Sequence, residues 1–260
     1  MLISKILISI KIIRTFKNWP FYFLTHLGFL KGTKIEYHLR NGVKLLVPGD
    51  PLDWIPMTEV WIYEAYTPSG FRINKKDIVV VVGAHIGVFS IYAATKATQG
   101  KVYAYEPIPE NFRLLKSNIK LNNLNNIVPF SLGVFNRKGR KKIYLTDSPA
   151  TSSLFGQGGK VYLVKVVGLK DVFEDNGLKK INFLKIDCEG AEYDILFNTP
   201  KKYLDKIDKI ALEYHEGEFT KYGCRDLETF FRNHNFKVRV KITKAQNNSS
   251  IGMLYAWKES

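Results

Sequence analysis

From residue 71 onward, short apolar runs alternate with stretches of helical periodicity, and that alternation leaves few architectures open. The clearest unit is "DIVVVVGAHIGVFSIY", Asp77 to Tyr92, where four valines end at Gly83 and a helical pattern follows Gly87. An apolar run too short for a helix and closed by glycine reads as a strand buried on both faces. The pattern predicts strands at Ile78–Val82, Val102–Tyr105, Ile127–Leu132, Ile181–Ile186 and Lys209–Tyr214. Helices are expected at Gly87–Thr98, Glu110–Asn122, Ala191–Phe197 and Asp226–Asn235, and two closing strands near 236–242 and 251–257. The expected fold is therefore α/β: a mostly parallel seven-stranded sheet with helices on both faces.

Two regions depart from the alternation. Residues 134–176 contain "RKGRKKIYLTD" and "GKVYLVKVVGL", which read as extra strands around the Ser-, Gly- and Pro-rich stretch "SPATSSLFGQGG", expected to be a mobile loop. Residues 1–70 form an extension ahead of the main domain at 71–260. Within it, "KIEYHLRNGVKLLVP" alternates around Asn41-Gly42, a hairpin signal, and "MTEVWIYEAY" reads as a short helix. Leu2, Ile3, Ile6, Leu7, Ile10 and Ile13 recur at helical spacing, but Lys5, Lys11, Arg14 and Lys17 break up any run long enough to span a bilayer. Such a basic amphipathic helix, followed by "WPFYF", fits an anionic membrane surface through residues 1–25. Packing on the protein's own body or on a second subunit is the alternative.

Composition narrows partners without choosing one. Lys and Arg number 39 against 24 Asp and Glu, a formal charge of +15. That balance suits nucleic acid, anionic lipid or an acidic substrate. The basic residues are scattered, however, and no nucleic-acid module gathers them, so a solvated lysine-rich surface is the preferred reading. Cys188 and Cys224 make no disulfide framework, and no cleavable signal is evident. A reducing cytoplasm is expected, with the inner membrane surface as a place of peripheral attachment.

In an open parallel sheet, ligands bind at the carboxyl ends of the strands. The first such end is "GAHIG", Gly83 to Gly87, and the second is "YEP", whose Glu106 is placed to accept hydrogen bonds from a ribose diol. G-x-x-x-G lacks the closely spaced glycines that a pyrophosphate demands. A ligand with one ribose and no phosphate needs less bare backbone, and S-adenosylmethionine is such a ligand. The third end, "FLKIDCEGAEYDIL", crowds acids at 187, 189 and 192, and "LEYHE" closes the next strand with Glu213 and His215.

Taken in order, "VVGAHIGVFS", "VYAYEPIPENFRLLKSNIKLNN", "TSSL", "LKIDCEGAEYDIL" and "IALEYHE" resemble the FkbM-type methyltransferases. The resemblance implies a class I Rossmann-like methyltransferase fold, S-adenosylmethionine as donor, and O-methylation of hydroxyls on sugars, glycans or related small molecules. It implies that Gly83, Ala84, His85 and Gly87 form the cofactor turn, that Glu106 binds the ribose and that Leu132 and Gly133 flank the adenine. Asp187, Glu189, Gly190 and Glu192 match the family's motif beside the transferred methyl. Ser152 and Ser153 match its serine pair and are assigned, with Glu192 and Glu213, to the acceptor. The family usually carries an acid two residues before the first glycine, helping to hold the donor's ammonium; here that place is Val81, and His85 stands where Asn is usual.

A hydroxyl acceptor must lose its proton, which calls for a base. Asp187 and His215 are the candidates, with Glu189 behind them; Asp187 is also expected to touch the donor. Helix capping or donor orientation is the alternative for the acids, and plain strand-end packing for His215. The same cluster has the chemistry to hold Mg²⁺, but its spacing does not demand a metal and none is expected. Cys188 reads as core packing. Two other functions stay open: an RNA-directed methyltransferase, although the N/D-P-P-Y/F motif of amino-methylating enzymes is absent, and a non-catalytic protein on the same fold, suggested by Val81.

Overall fold

The computed structural model describes residues 2–49, 54–145, 152–153, 160–216, 221–246 and 249–259. The chain opens with α1 (Leu2–Thr15) and α2 (Trp19–His26), then a hairpin of β1 (Ile35–His38) and β2 (Lys44–Val47). Asn41-Gly42 makes the turn, with Gly42 at φ +92°. Alternate hairpin residues are buried, so one face packs inward. Next come α3 (Trp54–Met57) and, without a break, a π-helical turn at Thr58–Ile62, in which the Tyr63 N–H reaches back to the Thr58 carbonyl. The helix expected over "MTEVWIYEAY" is thus shorter and wider than an α-helix.

The main domain then runs β3 (Ile78–Val82), α4 (Val88–Lys96), β4 (Lys101–Tyr105), α5 (Pro109–Leu121), β5 (Ile127–Phe130), β6 (Gly133–Phe135), β7 (Gly139–Leu145), β8 (Ser152–Ser153) and β9 (Lys160–Gly168). It continues with α6 (Leu169–Asp175), β10 (Ile181–Ile186), α7 (Glu192–Phe197), α8 (Lys201–Leu204), β11 (Ile207–Glu216), α9 (Cys224–Asn233), β12 (Lys237–Gln246) and β13 (Ser249–Trp257). Seven strands pair in the order β12-β13-β11-β10-β3-β4-β5. β13 is antiparallel to both neighbours, and the pairs from β11 to β5 are parallel.

The expected strand Ile127–Leu132 stops at Phe130. The chain leaves the main sheet there, and Gly133–Phe135 pairs in parallel with β9 instead. The interruption is accordingly a four-stranded sheet of its own, ordered β6-β9-β7-β8. Of the loop "SPATSSLFGQGG", only the backbone of Ser152 and Ser153 falls within the described residues, paired with Tyr144 and Leu145; its expected mobility lies outside them.

The strand pleat sorts the core into two layers. Val79, Val81, Val102, Ala104, Phe183 and Tyr255 face α4, the hairpin and α1, while Val80, Val82, Leu184, Ile186, Leu212 and Leu254 face α6, α7 and α9. Phe16, Tyr37 and Leu45 of the extension are fully buried in the first layer, so its core is continuous with that of the sheet. No helix among the described residues is long and apolar enough to cross a membrane.

Candidate active site

The turn after β3 is built by contacts that dictate its residues. Gly83 lies at φ +74°, and a Cβ there would fall 1.8 Å from the Asp187 carbonyl oxygen, so only glycine lets the ends of β3 and β10 close together. The N–H groups of Gly83 and Ala84 both donate to the Tyr105 carbonyl, 3.1 and 2.9 Å away. His85 also sits in the left-handed region, φ +52°, which histidine shares with asparagine more readily than most residues do. Its N–H donates to Glu106 Oε2 at 2.8 Å, and Ile108 N–H donates to Oε1 at 2.9 Å. Burial lifts the Glu106 carboxyl to about 7 despite these donors, and burial lowers the His85 imidazole to about 4, leaving it neutral. Gly87 serves packing instead. A Cβ there would meet Leu115 Cδ1 at 2.7 Å, so this glycine lets α5 approach the turn and does not line the cleft.

Opposite this turn stands a charged group rooted on β10 and β11. Lys185 is 4% exposed at its side chain and lies in register with Val81. Its Nζ donates to the Gly83 carbonyl and to Asp187 Oδ2, each at 2.9 Å, and sits 5.0 Å from the centre of the Tyr66 ring. The Tyr66 hydroxyl donates to the same Asp187 oxygen at 2.9 Å and lies 3.4 Å from Glu213 Oε2. Burial works to raise the Asp187 carboxyl, but Lys185 and His215 outweigh it and hold it below the usual range. Asp187 is therefore a fixed carboxylate.

The neighbouring acids behave differently. Glu189, at φ +54°, puts Oε2 3.4 Å from His215 Nε2. Burial, reinforced by Asp187, lifts Glu189 to about 8, and the same two causes lift Glu213 to about 8. His215 Nδ1 is hydrogen-bonded to Glu192 Oε1 at 2.8 Å, and Glu192 is fully buried. Burial works to lower His215, but the bond to Glu192 and the charges of Glu189 and Asp187 carry it up to about 10, an imidazolium at neutral pH. The N-cap of α7 is Ala191 and carries no side-chain cap, so neither Asp187 nor Glu189 spends its carboxylate on that helix.

Three polar residues gathered around Asp187 were not singled out from the sequence. Glu59, on the π-helical turn, enters the cleft and is lifted to about 7 by burial and by Asp187. Tyr66 and Lys185 are the others. A lysine inside the apolar run "FLKID" was the available signal, because a buried ammonium requires a partner. Of the residues singled out, Gly83, Ala84, His85, Glu106, Gly133, Asp187, Glu189, Glu213 and His215 line one cavity of about 310 Å³. Leu132 packs into the core instead, and Val134 and Phe135 follow Gly133 along the cleft wall. Glu192 stands behind His215. The side chains of Ser152 and Ser153 lie outside the described residues. Cys188 is half-buried on the cleft wall, its thiol pushed well up by burial.

The profile of the FkbM methyltransferase domain matches residues 82–238, which carry every strand end just described. The chain belongs to the FkbM methyltransferase family. It is 23% identical to the 31-O-demethyl-FK506 methyltransferase FkbM of Streptomyces tacrolimicus, over 69% of this chain and 80% of that protein. It is 26% identical to the hexuronic acid methyltransferase AglP of Haloferax volcanii, over 55% of this chain and 58% of that protein. Among solved structures, an FkbM methyltransferase from Methylobacillus flagellatus superposes with a TM-score of 0.52 at 17% identity, covering 74% of this chain and 46% of that one. The fold is that of the class I methyltransferases, and S-adenosylmethionine is the family's methyl donor.

The cleft of this FkbM chain suits such a ligand. Glu59, Glu106, Asp187, Glu189 and Glu213 border it with Lys141, Lys185 and His215, and Asp187 keeps its negative charge there, a partner for a cationic ligand. Val134, Phe135, Ile143 and Val166 supply an apolar wall on the side of Glu106, as a purine requires.

Proposed function

We propose that this FkbM methyltransferase methylates an oxygen of a sugar or sugar-like small molecule. The observation that carries the proposal is the pairing, in one cleft, of the fixed carboxylate Asp187 with Glu189 and Glu213, two carboxyls lifted to about 8. A hydroxyl nucleophile requires a base whose pKa lies near the working pH, and those two groups meet that condition. The two relatives named above support the acceptor class by their names alone: one is named for a 31-O-demethyl compound, the other for a hexuronic acid.

In this reading, the Gly83–His85 turn and Glu106 hold the nucleoside, with Asn111 beside the Glu106 carboxylate. Bound there, the donor supplies an electrophilic methyl on a sulfonium. Glu59 provides the carboxylate that Val81 does not, reaching the same cleft from the extension instead of from β3. Asp187, pinned by Lys185 and Tyr66, keeps a negative charge beside the positive centre. Glu189 takes the acceptor proton; His215, an imidazolium between Glu189 and Glu192, orients it rather than acting as base.

The test is methyl-labelled donor incubated with the protein and a panel of hexuronic acids, neutral sugars, polyols and transfer RNA. Label recovered as an oxygen methyl on a sugar, with release of S-adenosylhomocysteine, is the expected result. Label on nitrogen or on RNA overturns the proposal.

A further inference from the structure

We propose that the N-terminal helical pair docks the protein on an anionic lipid surface. α1 has two apolar faces. Ile12 and Phe16 are buried on one, with Ile8 packed beside them, while Ile6, Leu7, Ile10 and Ile13 stand uncovered on the other, Leu7 at 59% exposure. Trp19, Phe21, Leu27 and Phe29 extend the uncovered surface beyond α1. Eight of the thirteen large apolar side chains that are exposed among the described residues therefore fall between Ile6 and Phe29. A monomeric soluble surface does not ordinarily gather its apolar groups this way.

The helix presenting that face is pinned. Lys11 Nζ donates to the Ile62 carbonyl at 3.3 Å, Arg40 Nε to the Ile13 carbonyl at 3.1 Å, and Lys17 N–H to the His38 carbonyl at 2.7 Å. The exposed stripe is held outward by the hairpin and the π-helical turn.

Charge selects what covers it. Residues 1–35 hold Lys5, Lys11, Arg14, Lys17, Lys31 and Lys34 and no acid, the first being Glu36. A second copy on this face would set six cations against six with nothing in the segment to offset them. An anionic lipid surface complements both the cations and the apolar stripe. At 14 residues α1 is shorter than the ~20 needed to cross hydrocarbon, so it lies in the interfacial plane, where Trp19 and Phe21 are at home.

The same surface adjoins the catalytic cleft. Trp54 of α3 packs edge-on against His26 of α2 at 4.6 Å, and the next two residues, Ile55 and Pro56, line the cleft. The docking proposal does not depend on the acceptor's identity, so it survives or fails separately from the proposed reaction.

The full chain is to be sedimented with vesicles of phosphatidylcholine and with vesicles of phosphatidylcholine and phosphatidylglycerol, at low and high salt. Binding only to the anionic vesicles, weakened by salt, is expected. Leu7→Asp combined with Ile10→Asp removes two exposed apolar anchors and should weaken binding by more than about tenfold. Thermal midpoint and donor affinity should stay unchanged, since both sites are exposed. Wild-type protein left in the supernatant, or undiminished binding by the double variant, overturns the proposal. So does a wild-type dimer in sedimentation equilibrium that the double variant dissolves without either protein binding vesicles.

Discussion

Glu189 combines backbone strain with a displaced titration. Its left-handed φ of +54° costs about 1–2 kcal/mol for a residue with a Cβ, and the surrounding fold retains it there. Glu189→Gly should raise the thermal midpoint while abolishing turnover, a trade that thermal unfolding and activity measured together will show. Its carboxyl, lifted to about 8, serves as a base only when ionised. Turnover per bound donor should therefore rise with pH through about 8 and level off above it, and Glu189→Gln should remove that limb; a profile unchanged by the substitution assigns the base elsewhere. Glu106→Ala leaves His85 N–H and Ile108 N–H without their acceptor and removes the ribose carboxylate. Donor affinity in calorimetry should fall about tenfold or more. Glu59→Gln should weaken donor binding by a similar factor, and adding Val81→Asp to it should restore part of the loss; no recovery would mean that the two positions do not serve one charge. The residues that sequence identified, Gly83, Glu106 and Asp187, lie at strand ends, where position in the chain reports position in space. Glu59 and Tyr66 escaped because their roles arise from contacts such as Tyr66 to Asp187, which no local spacing encodes, whereas Lys185 carried a signal, a lysine inside an apolar run.

At the scale of elements, one polar joint between the extension and the main domain lies at the cleft, and another binds the hairpin to Asn118 of α5 and to Asn122 at its C-cap. The π-helical turn brings Glu59 to the cleft, and the stretch that follows it delivers Tyr66 to Asp187 and Glu213. Tyr66→Phe deletes only an oxygen, so the buried ring and its packing on Phe89 remain. Turnover should drop about tenfold, the worth of one hydrogen bond to a charged group, with little change in the thermal midpoint. A matching loss of stability would make the tyrosine structural. β3, β4, β10 and β11 were legible because each is an apolar run closed by a turn signal. The end of β5 was not. "IVPFSL" reads as one strand, Ile127–Leu132, and the pairing of Gly133 with Val166 shows that the chain has already left the main sheet after Phe130. The π-helical turn was equally hidden, since its residues satisfy an α-helical pattern and the wider hydrogen-bond spacing leaves no compositional mark.

The whole molecule has one feature that neither periodicity nor motif revealed: the slot occupied by β13. It pairs with β11 on one side and β12 on the other, although both precede it in the chain. Its Tyr255 sits in the core layer shared with the extension, and the Tyr255 hydroxyl donates to the Ala65 carbonyl at 2.5 Å, next to Tyr66. A ribosome releases the chain from its amino end, so the nascent protein holds β11 and β12 with an unfilled gap between them until residues 249–257 emerge. During that interval two strand edges are open to other chains, the condition that promotes misassembly. A chain released after Gln246 has nearly every residue of the cleft, lacking only Ile251 among those that line it. It should nonetheless fail to bind S-adenosylmethionine in calorimetry, because Tyr66 has lost the anchor beside it. Catalytic competence in this protein is thus expected to await β13, the strand that closes the sheet.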